Sequence, residues 1–445
     1  MVFNMYDERI PSTDRFGACL SEILDAVRRE CDPAALVAAK VRELKSLSNS
    51  ARGRICVLAV GKASVTMFDA AMQAAGTDVC RAVILHGERT AASRWAGDYR
   101  VSEYVCDHPL PSPRNITAAR AVLKFIAGLN ETDALLVLLS GGASAYLALP
   151  ADGVSLQDLS EITAALQSHG ASITELNTVR KHMEALKGGN LAAASKAGKI
   201  IVLVLSDVVG DKLDVIGSGP LHPDETTYAD AIAVLQAKGL LDAVPALTRR
   251  LRGGAAGNVP ETPKPGHPCF TRVEHMVIGN NDLAVNAAAA AAQRHGFMIA
   301  SMETGIESES PALGKRIGQL AIGPAVREDT AIIFGGEPTV SLGAAKGLGG
   351  PSQEVALTAA IVAAGHEAWA LLAYSTDGRD GPTDAAGAIV NGHSIARMRV
   401  MGIDVERAVR EHDSHAALAA AGCLLTTGPT GTNLNHVYVL LRAGA

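Results

Sequence analysis

Lys62 sits where an apolar run, Arg54–Gly61, gives way to a helix-like stretch, Ala63–Ala75. A helix N-terminus disfavours a cation. Either an anion binds there and resolves the conflict, or the side chain points away into solvent. Asp207 directly follows the apolar run Lys199–Ser206. It projects from a strand tip as a base or an oxygen ligand, or it closes an Asx turn or caps a helix. The segment Ser375–Gly387 places Asp377, Asp380 and Asp384 among three glycines, after the apolar run Ala368–Tyr374. That much charge on so bendable a loop suggests a bound cation such as Mg²⁺, or a hydroxyl being positioned. One of the three is expected to cap a helix starting near Ala385.

Other strand-ending loops are rich in glycine and hydroxyls: Ser140-Gly141-Gly142-Ala143-Ser144, Gly335-Gly336-Glu337, and Thr427 to Asn433 with Thr430 between them. Glycine lets backbone amides approach a phosphate, and hydroxyls add donors. Together these parts are the means of phosphoryl transfer. Arg180, Lys181 and His182 form a basic trio on a helical stretch. They hold a carboxylate or phosphate, or they are an exposed basic face. His108, before Pro109, is held extended and either meets a ligand or makes a turn. The chain has no G-x-x-x-x-G-K-[ST] and no G-x-G-x-x-G, so it is neither a P-loop protein nor a carrier of the common dinucleotide fingerprint. No clustered His and Cys spacing suggests a transition-metal site.

The elements that must carry these loops are short apolar runs, each ending in glycine or a polar turn. They are Arg54–Gly61, Arg81–Gly87, Ala134–Gly142, Lys199–Asp207, His275–Asn280, Thr330–Glu337, Ala368–Asp377, Cys423–Gly428 and His436–Leu441. Most are continuous rather than alternating, which predicts strands buried on both faces. Helical stretches such as Ile116–Leu129 and Asp282–His295 lie between many of them. The fold expected is α/β, with mainly parallel sheets flanked by helices in a Rossmann-like arrangement. At 445 residues, two domains are expected. Four prolines, Pro260, Pro263, Pro265 and Pro268, mark a linker at 255–272 between domains at 15–254 and 273–445.

Composition narrows the function classes. A net charge of −6 and no basic stripe argue against nucleic acid. No apolar run reaches the length of a membrane span or a signal peptide, so the cytoplasm is the expected compartment. Seven cysteines without a C-x-x-C pair argue against a disulfide framework or structural zinc. Cys56 and Cys423, inside strand-like runs, read as buried thiols.

With these loops in hand, the chain resembles the glycerate 2-kinase family of the MOFRL type, from about Phe16 to Leu441. The motifs are Val60–Ala63, His108–Pro111, Leu139–Ser144, Asn177–His182 with Leu186–Ala192, Ser206–Val208 with Gly217–Pro220, Gly335–Val340, the Asp loop, and Thr427–Asn433. The resemblance implies a two-domain α/β enzyme with its active site in the inter-domain cleft. It implies transfer of the ATP γ-phosphoryl group to the 2-hydroxyl of D-glycerate or a related hydroxy acid, with Mg²⁺. Lys62 and Asp207 match catalytic positions of that family, and the Asp377 loop matches a site loop. Gln353 and Glu354 match a Gly-Gly-Arg-Asn-Gln-Glu motif. In this chain the arginine of that motif is Pro351, and Asn190, Ala143 and His436 also depart from the pattern. Arg379, inside the Asp loop, is the expected replacement for the lost cation. The alternatives are a diverged protein that binds its ligand without turnover, or takes a different sugar acid, and a hydroxypyruvate reductase, against which the missing dinucleotide fingerprint speaks. Whether the chain forms a homodimer is open.

Overall fold

The computed structural model describes residues 15–47, 54–88, 90–341, 343 and 345–444. The chain divides into two compact units, 33–278 and 279–445, the latter joined by residues up to Asp32.

In the unit 33–278, six strands form one sheet: β1 Ile55–Val60, β2 Val79–Gly87, β3 Val101–Cys106, β4 Ala134–Leu139, β5 Lys199–Leu205 and β6 Val273–Gly279. Their order is β3-β2-β1-β4-β5-β6. The pairs β3–β2, β2–β1, β1–β4 and β4–β5 are all parallel. β1 and β4, central in the sheet, are buried almost throughout, which is why they read as unbroken apolar runs. The helix Ser64–Ala75 packs on β1, β2 and β4, and Pro113–Ala127 packs on β2 and β3. A second apolar core, including Leu159, Ile162, Val179, Met183, Leu235 and Leu251, joins the helices Leu156–Ser168, Ile173–Met183, Tyr228–Ala237 and Pro245–Ala255.

The proline-rich segment 255–272, expected as a linker, belongs to this unit. Its hydrogen-bonding groups hold it there. Pro263 accepts from the Asp224 amide at 3.0 Å, and the Thr262 hydroxyl donates to Asp224 at 2.9 Å. Arg272 donates to the carbonyls of Ala192, Ser195 and Ala197. Low apolar content suggested a loose tether, but polar groups strap the segment down instead.

In the unit 279–445 the sheet order is β11-β10-β9-β12-β8-β7. These strands are β7 Met298–Ile306, β8 Thr330–Gly336, β9 Trp369–Ser375, β10 Gly387–Asn391, β11 Leu424–Leu425 and β12 His436–Arg442. β7 and β8 are parallel, and every other pair is antiparallel. The expectation of mainly parallel sheets therefore holds for the first unit and not for this one. Helices cover both faces of the central strands. Asn281–Arg294 packs on β7, β8 and β12, and Pro351–Val362 on β9 and β10. Burial on both faces removes the polar alternation that usually marks antiparallel strands. The helix Arg15–Glu30 joins this unit by packing along Asn281–Arg294, with Phe16 6.2 Å from Phe297 and Arg294 donating to Glu22 at 2.9 Å. Among the described residues no helix is long and apolar enough to cross a membrane.

Candidate active site

In the unit 33–278, the tips of β1 and β4 are laced together by backbone amides. The Ser140 amide donates to Val60 O at 3.1 Å, the Lys62 amide to Gly141 O at 2.8 Å, and the Ala63 amide to the Ser140 hydroxyl at 3.1 Å. Gly61 has φ +124°, and a Cβ there would lie 2.2 Å from Ser140 Oγ. A Cβ on Gly141 would lie 2.0 Å from Asp207 Oδ2. One on Gly142, at φ +85°, would meet the His108 ring at 3.2 Å and Lys62 Cγ at 3.4 Å. Lys62, His108 and Asp207 therefore all border one glycine pair. The sequence placed them 46 and 99 residues apart (108 − 62; 207 − 108). Lys62 is exposed and Asp207 half-buried at its strand tip.

The His108 ring packs edge-on against Tyr146, with centroids 5.7 Å apart. His108 is exposed overall, yet partial loss of solvation at its ring, and then the Lys62 ammonium, push its pKa down to about 4. The imidazole is neutral at pH 7.

Arg180 and Lys181 do not form an exposed basic face. They lie on the helix Ile173–Met183, which starts in a capping box between Ser172 and Glu175. Lys181 is buried 3.4 Å from Asp224 and 3.5 Å from Asp214. Arg180 pairs with Glu184 at 3.4 Å and donates to the Ser144 carbonyl at 3.4 Å. His182 turns its ring nitrogens to Thr178 O at 2.8 Å and Glu261 at 3.0 Å. All three side chains are met by the protein itself, and Arg180 supports the glycine loop through the Ser144 carbonyl.

Lys187, within the motif Leu186–Ala192, carried no sequence signal of its own. It is fully buried, ion-paired with Glu184, and donates to Ser144 O at 2.7 Å. Burial first, and the nearby Arg180 second, push its pKa down to about 7. Ser144 is also held through its hydroxyl, 2.7 Å from Ser218, which in turn donates to Asn177 at 3.0 Å.

In the unit 279–445, the glycines of Gly335-Gly336 answer to packing. A Cβ on Gly335 would lie 2.0 Å from Asn281 Oδ1, and one on Gly336 would lie 2.2 Å from Ile306 O. Glu337, just beyond, is exposed, and its amide donates to Ile306 O at 2.8 Å. Asn281 also fixes the C-terminal loop by donating to Leu434 O at 2.8 Å and His436 O at 3.0 Å.

The three aspartates of the 375–387 loop do not converge. Asp380 is fully buried and accepts from the amides of Ser352 at 2.9 Å and Gln353 at 2.8 Å. It thereby caps the helix Pro351–Val362, whose own N-cap residue, Gly350, has no side chain to do so. The helix expected near Ala385 is absent: Gly387 instead opens β10. Asp377 is half-buried and accepts from the Ser375 hydroxyl and the Arg379 amide, both at 2.9 Å. The Asp384 side chain is 87% exposed. Among the described residues no group of three His, Cys, Asp or Glu is placed to hold a metal ion.

Gln353 and Glu354 face inward. Gln353 donates to Asp380 at 2.9 Å and Thr383 at 3.0 Å, and its carbonyl oxygen lies 3.0 Å from His415 Nδ1. Burial pushes the Glu354 carboxyl up, against the pull of His412 3.6 Å away. Thr430 ties the last loop to this one by donating to Thr376 O at 2.6 Å, and Asn433 accepts from the Asn435 amide at 3.2 Å. Arg379 is exposed on the surface of the Asp loop. Ser352 and His436, neither proposed from the sequence as site residues, pair at 2.7 Å beside Asp380. Burial holds His436 below its usual pKa although Asp380 opposes this.

Two tests follow from this geometry. Asp380→Ala strips a charge-assisted cap from two buried amides and from Gln353. It is expected to lower stability by about 3 kcal/mol or more, read from the denaturant midpoint; a loss below about 1 kcal/mol would sink the capping role. For His108, the folded pKa lies below the unfolded one. The unfolded state therefore binds more protons between about pH 4 and 6.5, and stability rises with pH across that window and is level above it. His108→Gln should flatten this slope by up to one proton, and an unchanged stability profile would show the ring to be solvated.

Residues 19–252 match a domain described as of unknown function, DUF4147, and residues 330–436 match the MOFRL family. The chain is 38% identical over 440 residues to the glycerate 2-kinase of Pyrococcus horikoshii, covering 98% of this chain and 95% of that one. It is 38% identical over 395 residues to the D-glycerate 2-kinase of Thermotoga maritima, covering 87% and 90%. The crystal structure of glycerate kinase from Thermotoga maritima superposes with a TM-score of 0.85 at 36% identity, covering 96% of this chain and 99% of that one. Coverage of this extent at such identity, with both domains matched in order, makes the chain a member of the glycerate kinase family.

Proposed function

We propose that this chain transfers the γ-phosphoryl group of ATP to the 2-hydroxyl of D-glycerate or a closely related hydroxy acid. The observation that carries the reading is the shared border of Lys62 and Asp207 on Gly141-Gly142, at the carboxyl ends of parallel strands where ligands of such sheets bind. Lys62 is exposed beside a neutral His108, so its charge is available to phosphate oxygens. Asp207 takes the proton of the acceptor hydroxyl as the hydroxyl oxygen bonds to the γ-phosphorus. The bond from that phosphorus to the β–γ bridging oxygen breaks, and ADP leaves with the electron pair. Gly141 keeps the approach to Asp207 open, because any side chain there would overlap the carboxylate. The half-buried Arg180 and the buried Lys187, both donating to the Ser144 carbonyl, hold the loop to its shape.

Mg²⁺ suits this chain as an ion that arrives with the nucleotide, since it needs only one or two carboxylates besides phosphate oxygens and water. Asp377, half-buried and not committed to capping, is the residue proposed to hold it, whereas Asp380 is spent on the helix and the Asp384 side chain stands in solvent. When bound, the ion neutralises phosphate charge. In place of the arginine that Pro351 cannot supply, Arg379 is the proposed cation of the Asp loop. The cytoplasm, where ATP is plentiful, is the proposed compartment.

The test is ADP release by the purified protein with Mg-ATP, with and without D-glycerate and a panel of hydroxy and sugar acids. Acceptor-dependent ADP is expected with D-glycerate. ADP with another acid alone would move the substrate assignment, and nucleotide binding without turnover would replace the kinase reading with a ligand-binding one. Lys62→Ala should lower kcat/KM by about 10²- to 10³-fold with the fold intact by circular dichroism. Arg379→Ala should cost about 10³-fold in kcat if it supplies the transition-state cation; wild-type kcat in that variant would remove it from the mechanism.

A further inference from the structure

Cys56 on β1 and Cys80 on β2 bring their sulfur atoms to 3.2 Å. The local register explains how. Ile55 pairs with Val79, but Cys56 pairs with Arg81, so Cys80 is the extra residue of a bulge and has no ladder partner. Neighbouring strands lie about 4.8 Å apart, within the ~4.4–6.8 Å of Cα separation that a disulfide spans. The sulfurs need approach by only about 1 Å to reach bonding distance. Of the seven cysteines, Cys80 alone is not buried, so a small oxidant reaches it first. Cys56 behind it is 1% exposed, reachable by Cys80 and shielded from solvent. The Arg54 guanidinium, which lies close enough to sense both thiols, is paired with the buried Asp133 at 2.8 Å.

We propose that Cys80 and Cys56 form a reversible intramolecular disulfide when the chain meets a hydroperoxide. The Cys80 thiolate attacks one peroxide oxygen, the O–O bond breaks, and Cys80 becomes a sulfenic acid as hydroxide leaves. Cys56 sulfur, losing its proton, attacks the Cys80 sulfur; the S–S bond forms and the S–O bond breaks, releasing water. In sum, two thiols and one hydrogen peroxide give a disulfide and two waters. The thiols lose two electrons and the peroxide gains them. A dithiol reductant restores both thiols by exchange.

Two consequences follow from the position. Trapping Cys80 as a disulfide stops its oxidation at a reversible level, before the irreversible sulfinic and sulfonic acids. The bond also ties the start of β1 to β2. At the other end, the Gly61 amide and the Ser64 hydroxyl already donate to Leu85 O, at 3.3 and 2.8 Å. The strand that delivers Lys62 is then fastened to β2 at both ends. In a reducing cytoplasm such a bond is transient and redox-sensing rather than structural.

The experiment treats the purified full chain with hydrogen peroxide, denatures it, alkylates free thiols and maps peptides without reduction. Two of the seven thiols should withdraw from alkylation, with a cross-linked peptide pair carrying Cys56 and Cys80 that is two hydrogens lighter than the separate peptides. Dithiothreitol should reverse it. Cys80→Ser, at the half-exposed position, should abolish the cross-link, while Cys106→Ser should retain it. Full alkylation of all seven thiols after peroxide would overturn the proposal, and so would sulfinic acid at Cys80 with Cys56 still free. The wild-type map decides the matter even if a variant fails to fold.

Discussion

The kinase reading of the unit 33–278 depends on glycine backbone lying close against its neighbours at the ends of β1 and β4. Gly61 stands against Ser140, Gly141 against the Asp207 carboxylate, and Gly142 against His108 and Lys62. A methyl group at Gly61 or Gly141 would fall about 2 Å from its neighbour, far inside contact distance. The strand tips therefore approach closely only because no side chain intervenes, and the charged groups gather around the space so spared. What looks like an ordinary glycine turn is a positioning device for residues nearly 150 positions apart (207 − 62).

The unit 279–445 reaches order at its loops by a different route, spending charge inside. Asp380 is buried and its carboxylate serves the amides that begin the helix Pro351–Val362. Pro351 suits the first helical position, where its missing N–H is no loss. The helix start is thus satisfied from a loop almost thirty residues away in sequence (380 − 351). His436, Ser352, Gln353 and His415 extend the same polar network. A helix start so occupied has no amides left for phosphate, which it would otherwise suit.

The α/β class and most strands were legible in the sequence, because a strand buried on both faces is a short apolar run bounded by glycine. Strand direction was not, since β9 and β12 are as buried as any parallel strand while pairing antiparallel on both sides. β3 and β7 escaped notice because exposed positions break their patterns. Within the site loops, residue type told which positions carry chemistry but not which way they face. The Asp-rich loop read as a metal cradle because composition does not distinguish a carboxylate turned to solvent from one turned into a helix end. Lys181 read as a ligand-binding or exposed cation for the same reason: Asp214 and Asp224, the partners that bury it, lie more than thirty residues on. Lys187 went unmarked because nothing local signals that a lysine between Leu186 and Gly188 is fully buried.

Pro351 and the buried Asp380 bear on the cation proposed for the unit 279–445. With the helix amides taken by Asp380 and a proline at the first helical position, the proposed cation of that unit is a side chain rather than backbone. Arg379 is the residue next to the buried anchor. Its own amide is held by Asp377 at 2.9 Å, so its backbone is fixed from both sides while its guanidinium stands in solvent. A long cationic side chain on a fixed base loses entropy only when it engages a charge. The buried Asp380 therefore does for the proposed cation what the glycine contacts do for Lys62. It does not touch the reaction, but it determines where the group that would touch it begins.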